Sequence, residues 1–240
     1  MGIEKLFLLF FCSVLGGSIA LFTNIDKYKK ILLPFIVSFS GAYLLSISII
    51  HILPEIYMQD QMNIGPYILI GFFIQVLLEQ FSSGIEHGHI HKPHKIHSSF
   101  AISIMLGISI HAILEGMPLG NEFHFEETRT SLLYGIAIHK IPAAFALGSI
   151  LLFTNLKKPI IFLLIILFSL LTPFATYMTQ ELKMYEVLDM KALGIITGLV
   201  VGAFLHISTT ILFESSSDSH HFSFTKILAI FAGAGLALLI

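Results

Sequence analysis

The chain has 240 residues, 55% of them hydrophobic and only 12% charged, and its formal net charge is −2. A soluble domain carries about 25% charged residues, so we predict an integral membrane protein. The one cysteine, Cys12, excludes an internal disulfide and a metal site built from several thiolates. The sequence has neither a glycine-rich phosphate loop nor a basic patch interleaved with aromatic residues, which argues against nucleotide hydrolysis, nucleic acid binding and an organic cofactor.

A helix needs ~20 predominantly apolar residues to cross a bilayer, and eight segments qualify. In chain order they cover roughly residues 3–23, 32–55, 65–83, 98–119, 131–154, 159–179, 190–213 and 224–240. The connecting segments are too short to hold a second domain. We therefore predict an all-α membrane protein with eight transmembrane helices and a single domain over residues 1–240.

Basic residues are divided unevenly between the two ends of these segments. The loops after segments 1, 3, 5 and 7 hold eight of the thirteen: Lys27, Lys29, Lys30, Lys92, Lys95, Lys157, Lys158 and Lys226. Because cytoplasmic loops carry an excess of lysine and arginine, we predict that these loops are cytoplasmic and that both termini lie outside. For the multi-pass membrane location we favour a bacterial inner membrane over an organelle membrane.

Segments 4 and 5 carry ionisable residues at a depth where lipid-embedded sequence rarely has them. His111 and Glu115 are four residues apart and so share one helix face. His139 lies in the next segment, and both imidazoles fall about eight residues, or ~12 Å, below the outer ends of their helices. Ionisable groups at such depth are costly and usually mark an ion or substrate path.

His51, near the outer end of segment 2, is a further ligand candidate at a slightly shallower depth. Three imidazoles and the Glu115 carboxylate could then meet on three helices. Such a set makes a plausible four-coordinate site for Zn²⁺, which accepts nitrogen and oxygen ligands, while Fe²⁺, Mn²⁺ and Co²⁺ remain alternatives.

Prolines follow three of these polar residues at the same spacing: Pro54 after His51, Pro118 after Glu115 and Pro142 after His139. Proline removes an amide donor and clashes with the carbonyl four residues earlier. We therefore predict that the helices open locally beside the ligands.

Three motifs resemble the ZIP (Zrt/Irt-like) family of divalent-metal transporters. They are His111-Ala-Ile-Leu-Glu115-Gly, similar to the family's helix 4 motif His-Asn-x-Pro-Glu-Gly; His139-Lys-Ile-Pro142, similar to its helix 5 motif; and the helix 2 segment His51-Ile-Leu-Pro-Glu55. The form His-Lys-x-Pro-Ala-Ala-Phe is similar to one branch of the family. The resemblance implies eight helices in a 3+2+3 inverted-repeat bundle, outside termini, and metal ligands on helices 4 and 5. A weak internal echo, Gly41-Ala-Tyr-Leu44 against Gly202-Ala-Phe-Leu205, is compatible with such a repeat.

Many family members hold a second metal beside the first, and this chain departs from that pattern. Ala112, Lys140 and Ala143 stand where the resemblance would place ligands of the second metal, and residues 160–179 contain no carboxylate. The resemblance therefore implies one metal site. We predict that the Lys140 ammonium occupies the place of the second metal and pairs with Glu115, because a bare lysine at the bilayer centre costs ~3 kcal/mol or more.

Other polar residues are weaker candidates for the metal path. Glu55 lies near the outer end of segment 2, and His206 lies toward the cytoplasmic half of segment 7, where it could line the exit or simply hydrogen-bond across helices. A histidine-rich stretch on the predicted cytoplasmic side could collect released ions or be a solvated loop with incidental histidines. Its histidines are His87, His89, His91, His94 and His97.

We interpret the chain as a secondary transporter that moves Zn²⁺ or a related divalent ion into the cytoplasm by alternating access, with the ion as substrate and no cofactor. The direction rests on the family resemblance. Two alternatives are an intramembrane zinc hydrolase, whose His-Glu-x-x-His motif is absent, and a metal sensor that does not transport. Small residues at 232–235 favour close helix packing or a homodimer.

Overall fold

The protein is a bundle of helices. The computed structural model describes residues 1–23, 32–59, 63–82, 98–214 and 224–239, and these ranges contain no strand. The helices are α1 (Ile3–Phe22), α2 (Leu32–Ile47), α3 (Leu53–Gln59), α4 (Gly65–Ser82), α5 (Ser98–Gly116), α6 (Glu126–Leu151), α7 (Lys158–Met184), α8 (Met190–Glu214) and α9 (Phe224–Leu239). A π-helical turn, Ser48–Ile52, joins α2 to α3, and a 3₁₀ turn, Met117–Gly120, follows α5.

Six helical runs in the described ranges are long and apolar enough to cross a membrane. They are Ile3–Phe22, Leu32–Met58, Ala101–Gly120, Glu126–Leu151, Lys158–Met184 and Met190–Phe213. The remaining two predicted segments form shorter apolar helices, Gly65–Phe81 and Phe224–Leu239. The all-α, multi-pass membrane architecture is confirmed; the 3+2+3 arrangement and the outside location of the termini stay predictions.

Helix α6 begins five residues before the predicted segment 131–154. Its first turn contains Glu126 and Glu127, whose negative charge is favourable beside the positive end of the helix dipole. Arg129, one turn on, places Nη2 2.6 Å from Glu126 Oε2. The hydropathy of the sequence did not indicate this turn, because its residues are polar. The turn nevertheless extends α6 beyond its apolar segment.

Two of the three prolines alter their helices as predicted. Leu53 N–H bonds to the Ser48 carbonyl five residues back, so the helix widens to a π turn immediately before Pro54. Pro118 lies in the 3₁₀ turn that ends α5. Pro142, in contrast, lies inside α6, which continues through it to Leu151.

The helices pack as two groups. In the first helix group α1 packs on α6 and α7, and α7 packs on α5; in the second helix group α2 packs on α8 and α9, and α4 packs on α8. The groups meet where α2 lies against α6 and α4 lies against α5. The Tyr43 hydroxyl crosses this boundary to donate to the Ser131 carbonyl at 3.2 Å.

Candidate metal site

His111, Glu115 and His139 come together inside the first helix group. One ligand atom from each lies within 4.8 Å of the other two, and the side chains are almost completely buried. His111 Nε2 is 3.2 Å from Glu115 Oε2, because the two residues are one turn apart on α5. The His111 and His139 rings are 6.0 Å apart and nearly perpendicular. Three of the four predicted ligands therefore converge.

Lys140 is buried beside these residues and forms an ion pair with Glu115. The pair uses Glu115 Oε1, whereas Oε2 faces His111. The ammonium also lies 4.8 Å from the centre of the Phe168 ring on α7, an arrangement that favours a cation. One carboxylate thus has one oxygen toward the candidate metal ligands and the other toward a fixed positive charge.

A threonine of α7, which the sequence reasoning did not single out, supports the same carboxylate. The Thr172 hydroxyl is 2.8 Å from the Ala112 carbonyl, to which it donates, and 3.2 Å from Glu115 Oε1. One turn later, Thr176 donates to the Gly116 carbonyl at 2.8 Å. The spacing of four residues places both hydroxyls on one face of α7, but nothing in the sequence says which helix that face meets. They hold the end of α5 against α7 and so position Glu115.

Gln75 of α4 is a second partner that the sequence reasoning missed. It is completely buried, and its Oε1 lies 3.3 Å from His111 Nδ1. An amide oxygen accepts hydrogen bonds, and in the tautomer in which Nδ1–H donates to it, the Nε2 lone pair is available to a metal ion held beside Glu115. A second hydrogen bond of this kind orients a metal-ligating histidine and raises its basicity. The sequence feature that could have pointed to Gln75 is a single amide side chain within an apolar segment.

His51, the fourth predicted ligand, does not join the group. Its Nε2 lies 2.9 Å from the Ala237 carbonyl of α9, within the second helix group. The prediction included a local opening of the helix before Pro54 but not its form. The π turn Ser48–Ile52 contains His51 itself, and its extra residue changes the direction in which the side chain points.

Glu55 of α3 contacts the chain at the start of α6. Its buried carboxylate accepts hydrogen bonds from the amides of His124 and Phe125, at 2.5 and 3.3 Å, and from the Thr128 hydroxyl at 3.4 Å. A carboxylate is well placed there because the first amides of a helix lack partners within the helix. Glu55 therefore attaches α3 to the start of α6, and its place on the metal path stays a prediction.

We expect Glu55→Gln to destabilise the protein. The variant keeps the shape but loses the charge that strengthens these bonds, a change of about 2 kcal/mol, or about 4–8 °C in melting temperature for a chain of this size. Thermal unfolding in detergent measures it, with the exposed first-turn variant Glu127→Gln as control. An unchanged melting temperature together with a changed Zn²⁺ affinity would instead indicate a path residue.

His206 is distant in the chain from these ligands and contacts Glu79 of α4, with Nε2 2.6 Å from Oε2. The histidine-rich stretch that contains His87, His89, His91, His94 and His97 lies outside the described residues. The structure therefore pairs His206 with a carboxylate of the second helix group.

The convergent atoms are two imidazole nitrogens and one carboxylate oxygen. This ligand set suits Zn²⁺ and Fe²⁺ among the first-row divalent ions. Three protein ligands leave coordination positions for water or a further ligand. Such a site binds an ion and can release it again, which a closed four-ligand structural site does not favour.

A family model described as ZIP Zinc transporter matches residues 87–240, the part of the chain that contains His111, Glu115, His139 and Lys140. A search of curated proteins finds no match.

Proposed function

Because the chain belongs to the ZIP zinc transporter family, we propose that it carries Zn²⁺ across a membrane through the His111–Glu115–His139 site. The family consists of metal transporters, so the protein is not an enzyme and the hydrolase alternative is set aside. The observation that carries the proposal is the convergence of three buried ligands inside an apolar helix bundle. Buried ionisable groups at membrane depth favour an ion path over a structural role.

Lys140 acts as a resident cation in place of a second metal. The ion binds between His111, His139 and Oε2 of Glu115, while Oε1 remains with the ammonium. Before the ion arrives, Lys140 balances the carboxylate charge, which would otherwise be costly to bury. Once the ion is bound, the ammonium repels it and limits its affinity. The lysine thus stabilises the empty site and also lowers its affinity for the ion, so that the ion can dissociate.

Alternating access requires that the site open to one side and then to the other. The two helix groups offer the moving parts, since His111 lies on α5 of the first group and its partner Gln75 lies on α4 of the second. A displacement of one group against the other breaks this contact and changes which side reaches the ligands. The bond that fixes the His111 tautomer would then exist in only part of the cycle, so affinity would fall when the groups move.

The direction of transport, the membrane and the other possible substrates are proposed from the sequence. The ion moves inward, across a bacterial inner membrane, with Fe²⁺, Mn²⁺ or Co²⁺ as other substrates of the same nitrogen and oxygen ligands. A homodimer is also proposed, although Gly233 of the small-residue stretch packs against the Phe39 carbonyl of α2 in the same chain. A sensor that binds without transport is the second candidate, because the same ligands would serve it.

Uptake into proteoliposomes that contain a zinc-sensitive dye tests the function. We expect Zn²⁺ to enter at a rate that saturates with concentration and is absent from protein-free liposomes. Binding of Zn²⁺ by the purified protein without uptake would favour the sensor. Neither binding nor uptake would contradict the proposal as a whole.

From the contact between Gln75 and His111 we predict that Gln75 variants change the Zn²⁺ affinity. Gln75→Leu removes the acceptor for Nδ1–H and should lower Zn²⁺ affinity about 10- to 100-fold, whereas Gln75→Glu supplies a stronger acceptor and should preserve or raise it. The exposed Gln80 of the same helix provides the control variant Gln80→Leu. Competition with a chelating dye measures the affinities. Equal affinities for the two Gln75 variants would show that the contact does not act on the metal.

A further inference from the structure

A cavity of about 580 Å³ lies between α5 and α7, near the connection from α6 to α7. Ile102, Leu106 and Ser109 of α5 line one side, and Leu164 of α7 lines another. Its volume falls within the range of about 300–1,000 Å³ of pockets that enclose whole small molecules. None of the described side chains that line the cavity is ionisable. Its chemistry therefore suits an apolar occupant and not a metal ion.

The cavity follows α5 from the membrane surface toward the midplane. Its lining extends from Ala101 to Ser109, a distance of ~12 Å along the helix axis, which is close to the ~15 Å hydrocarbon depth of one leaflet. Ile102 and Leu106, two of the lining residues, are 60% and 58% exposed. The cavity therefore opens on the apolar surface of the helix bundle, where a lipid chain can enter it.

The end of the cavity at the membrane surface is polar and borders two basic residues. Thr154 and Asn155 line this end, and Lys157 and Lys158 follow at the start of α7. Both lysines are exposed, and residues 128–180 contain neither aspartate nor glutamate. The connection from α6 to α7 is predicted to be cytoplasmic, and basic pockets between membrane helices on that side bind anionic lipid headgroups. The charge at this end of the cavity is thus complementary to a phosphate.

We propose that the cavity binds an anionic phospholipid, with one acyl chain between α5 and α7 and the phosphate beside Lys157 and Lys158. A cavity of this size is filled in a bilayer, because its walls would otherwise lose their dispersion contacts. An acyl chain gains little there over bulk lipid, since lipid tails are as apolar as the walls. The headgroup charge therefore decides which lipid binds. No residue of the metal site takes part, so the proposal stands apart from the transport function.

The chain contains no tryptophan, so one introduced tryptophan reports only on its own position. Leu106→Trp places the reporter at the cavity. Leu167→Trp places it on an exposed face of α7 at a matched depth, ~14 Å against ~12 Å from the start of each helix. In phosphatidylcholine bilayers we measure quenching by phosphatidylglycerol or phosphatidylcholine with brominated acyl chains. We expect phosphatidylglycerol to associate about fivefold more strongly than phosphatidylcholine at Leu106→Trp, and equally at Leu167→Trp.

Two further substitutions in the Leu106→Trp protein test the two parts of the cavity. Ser109→Phe fills its deep end, and Lys157→Gln removes a charge from its polar end. Each should reduce the preference for phosphatidylglycerol to within about twofold of none. The matched controls are Ile110→Phe, an exposed neighbour outside the lining, and Lys191→Gln, an exposed lysine at the start of α8. Both should keep the preference.

Native mass spectrometry of the unmodified protein repeats the comparison without the introduced ring. We expect it to retain phosphatidylglycerol in preference to phosphatidylcholine with the same chains. Equal association of the two lipids at Leu106→Trp, together with equal retention by the unmodified protein, would overturn the proposal. A preference that Ser109→Phe leaves unchanged would place the lipid outside the cavity and would overturn it as well.

Discussion

His111→Ala and His139→Ala are each expected to lower Zn²⁺ affinity by more than about 100-fold and to abolish measurable uptake. Each variant leaves a single imidazole and Glu115 to hold the ion. Loss of a residue that merely orients a ligand costs about 10- to 100-fold in affinity, so loss of a ligand itself should exceed that range. Dye competition with purified protein and uptake into proteoliposomes measure the two effects.

Two histidines outside the group provide matched controls. His124→Ala removes an exposed histidine of the connection before α6, and His51→Ala removes the one that contacts Ala237. We expect both to keep Zn²⁺ affinity within about threefold of wild type. A large loss in His51→Ala would show that His51 joins the ligands in another conformation. Normal uptake by either His111→Ala or His139→Ala would refute the site.

Lys140→Met is expected to raise Zn²⁺ affinity and to slow transport. Methionine fills much of the space of the lysine but removes its charge. Two unit charges 4 Å apart interact by about 4 kcal/mol at an effective dielectric constant of about 20, so relief of the repulsion should raise affinity at least about tenfold. The ion then leaves more slowly, and we expect the maximal uptake rate to fall by a similar factor.

The same variant should destabilise the metal-free protein, because the Glu115 carboxylate stays buried without its counter-charge. Breaking one side of a buried ion pair costs about 3–5 kcal/mol, and thermal unfolding with and without Zn²⁺ measures it. Added Zn²⁺ should restore much of the lost stability. Lys140→Met combined with Glu115→Gln removes both charges and should unfold near the wild-type temperature. Unchanged affinity and unchanged uptake in Lys140→Met would contradict the role of the lysine.

Much of the site could be predicted from local spacing alone. His111 and Glu115 share a helix face whatever the helix packs against, and the charge of Lys140 required a partner at membrane depth. The structure brings these residues together with His139 as the spacing indicated. Pro54 predicted a disturbed helix, but the form of the disturbance, a π turn, decided where His51 points.

The partners from other helices were not predictable in this way. Gln75 and Thr172 looked like incidental polar residues in apolar segments, since nothing local says which neighbour a helix face will meet. The same holds for Glu55, which resembled part of a metal motif and accepts hydrogen bonds from the amides of His124 and Phe125, immediately before α6.

The sequence by itself determined the membrane class, the helical segments and the candidate ligands on α5 and α6. Hydropathy and helical periodicity are local properties of the chain, and a buried charge demands compensation in any fold. Only the tertiary structure decided that α4 supplies Gln75 to His111, that α7 supports Glu115, and that His51 turns toward α9. These outcomes depend on which helix faces come into contact, and packing between apolar surfaces is too unspecific to be read from either surface alone.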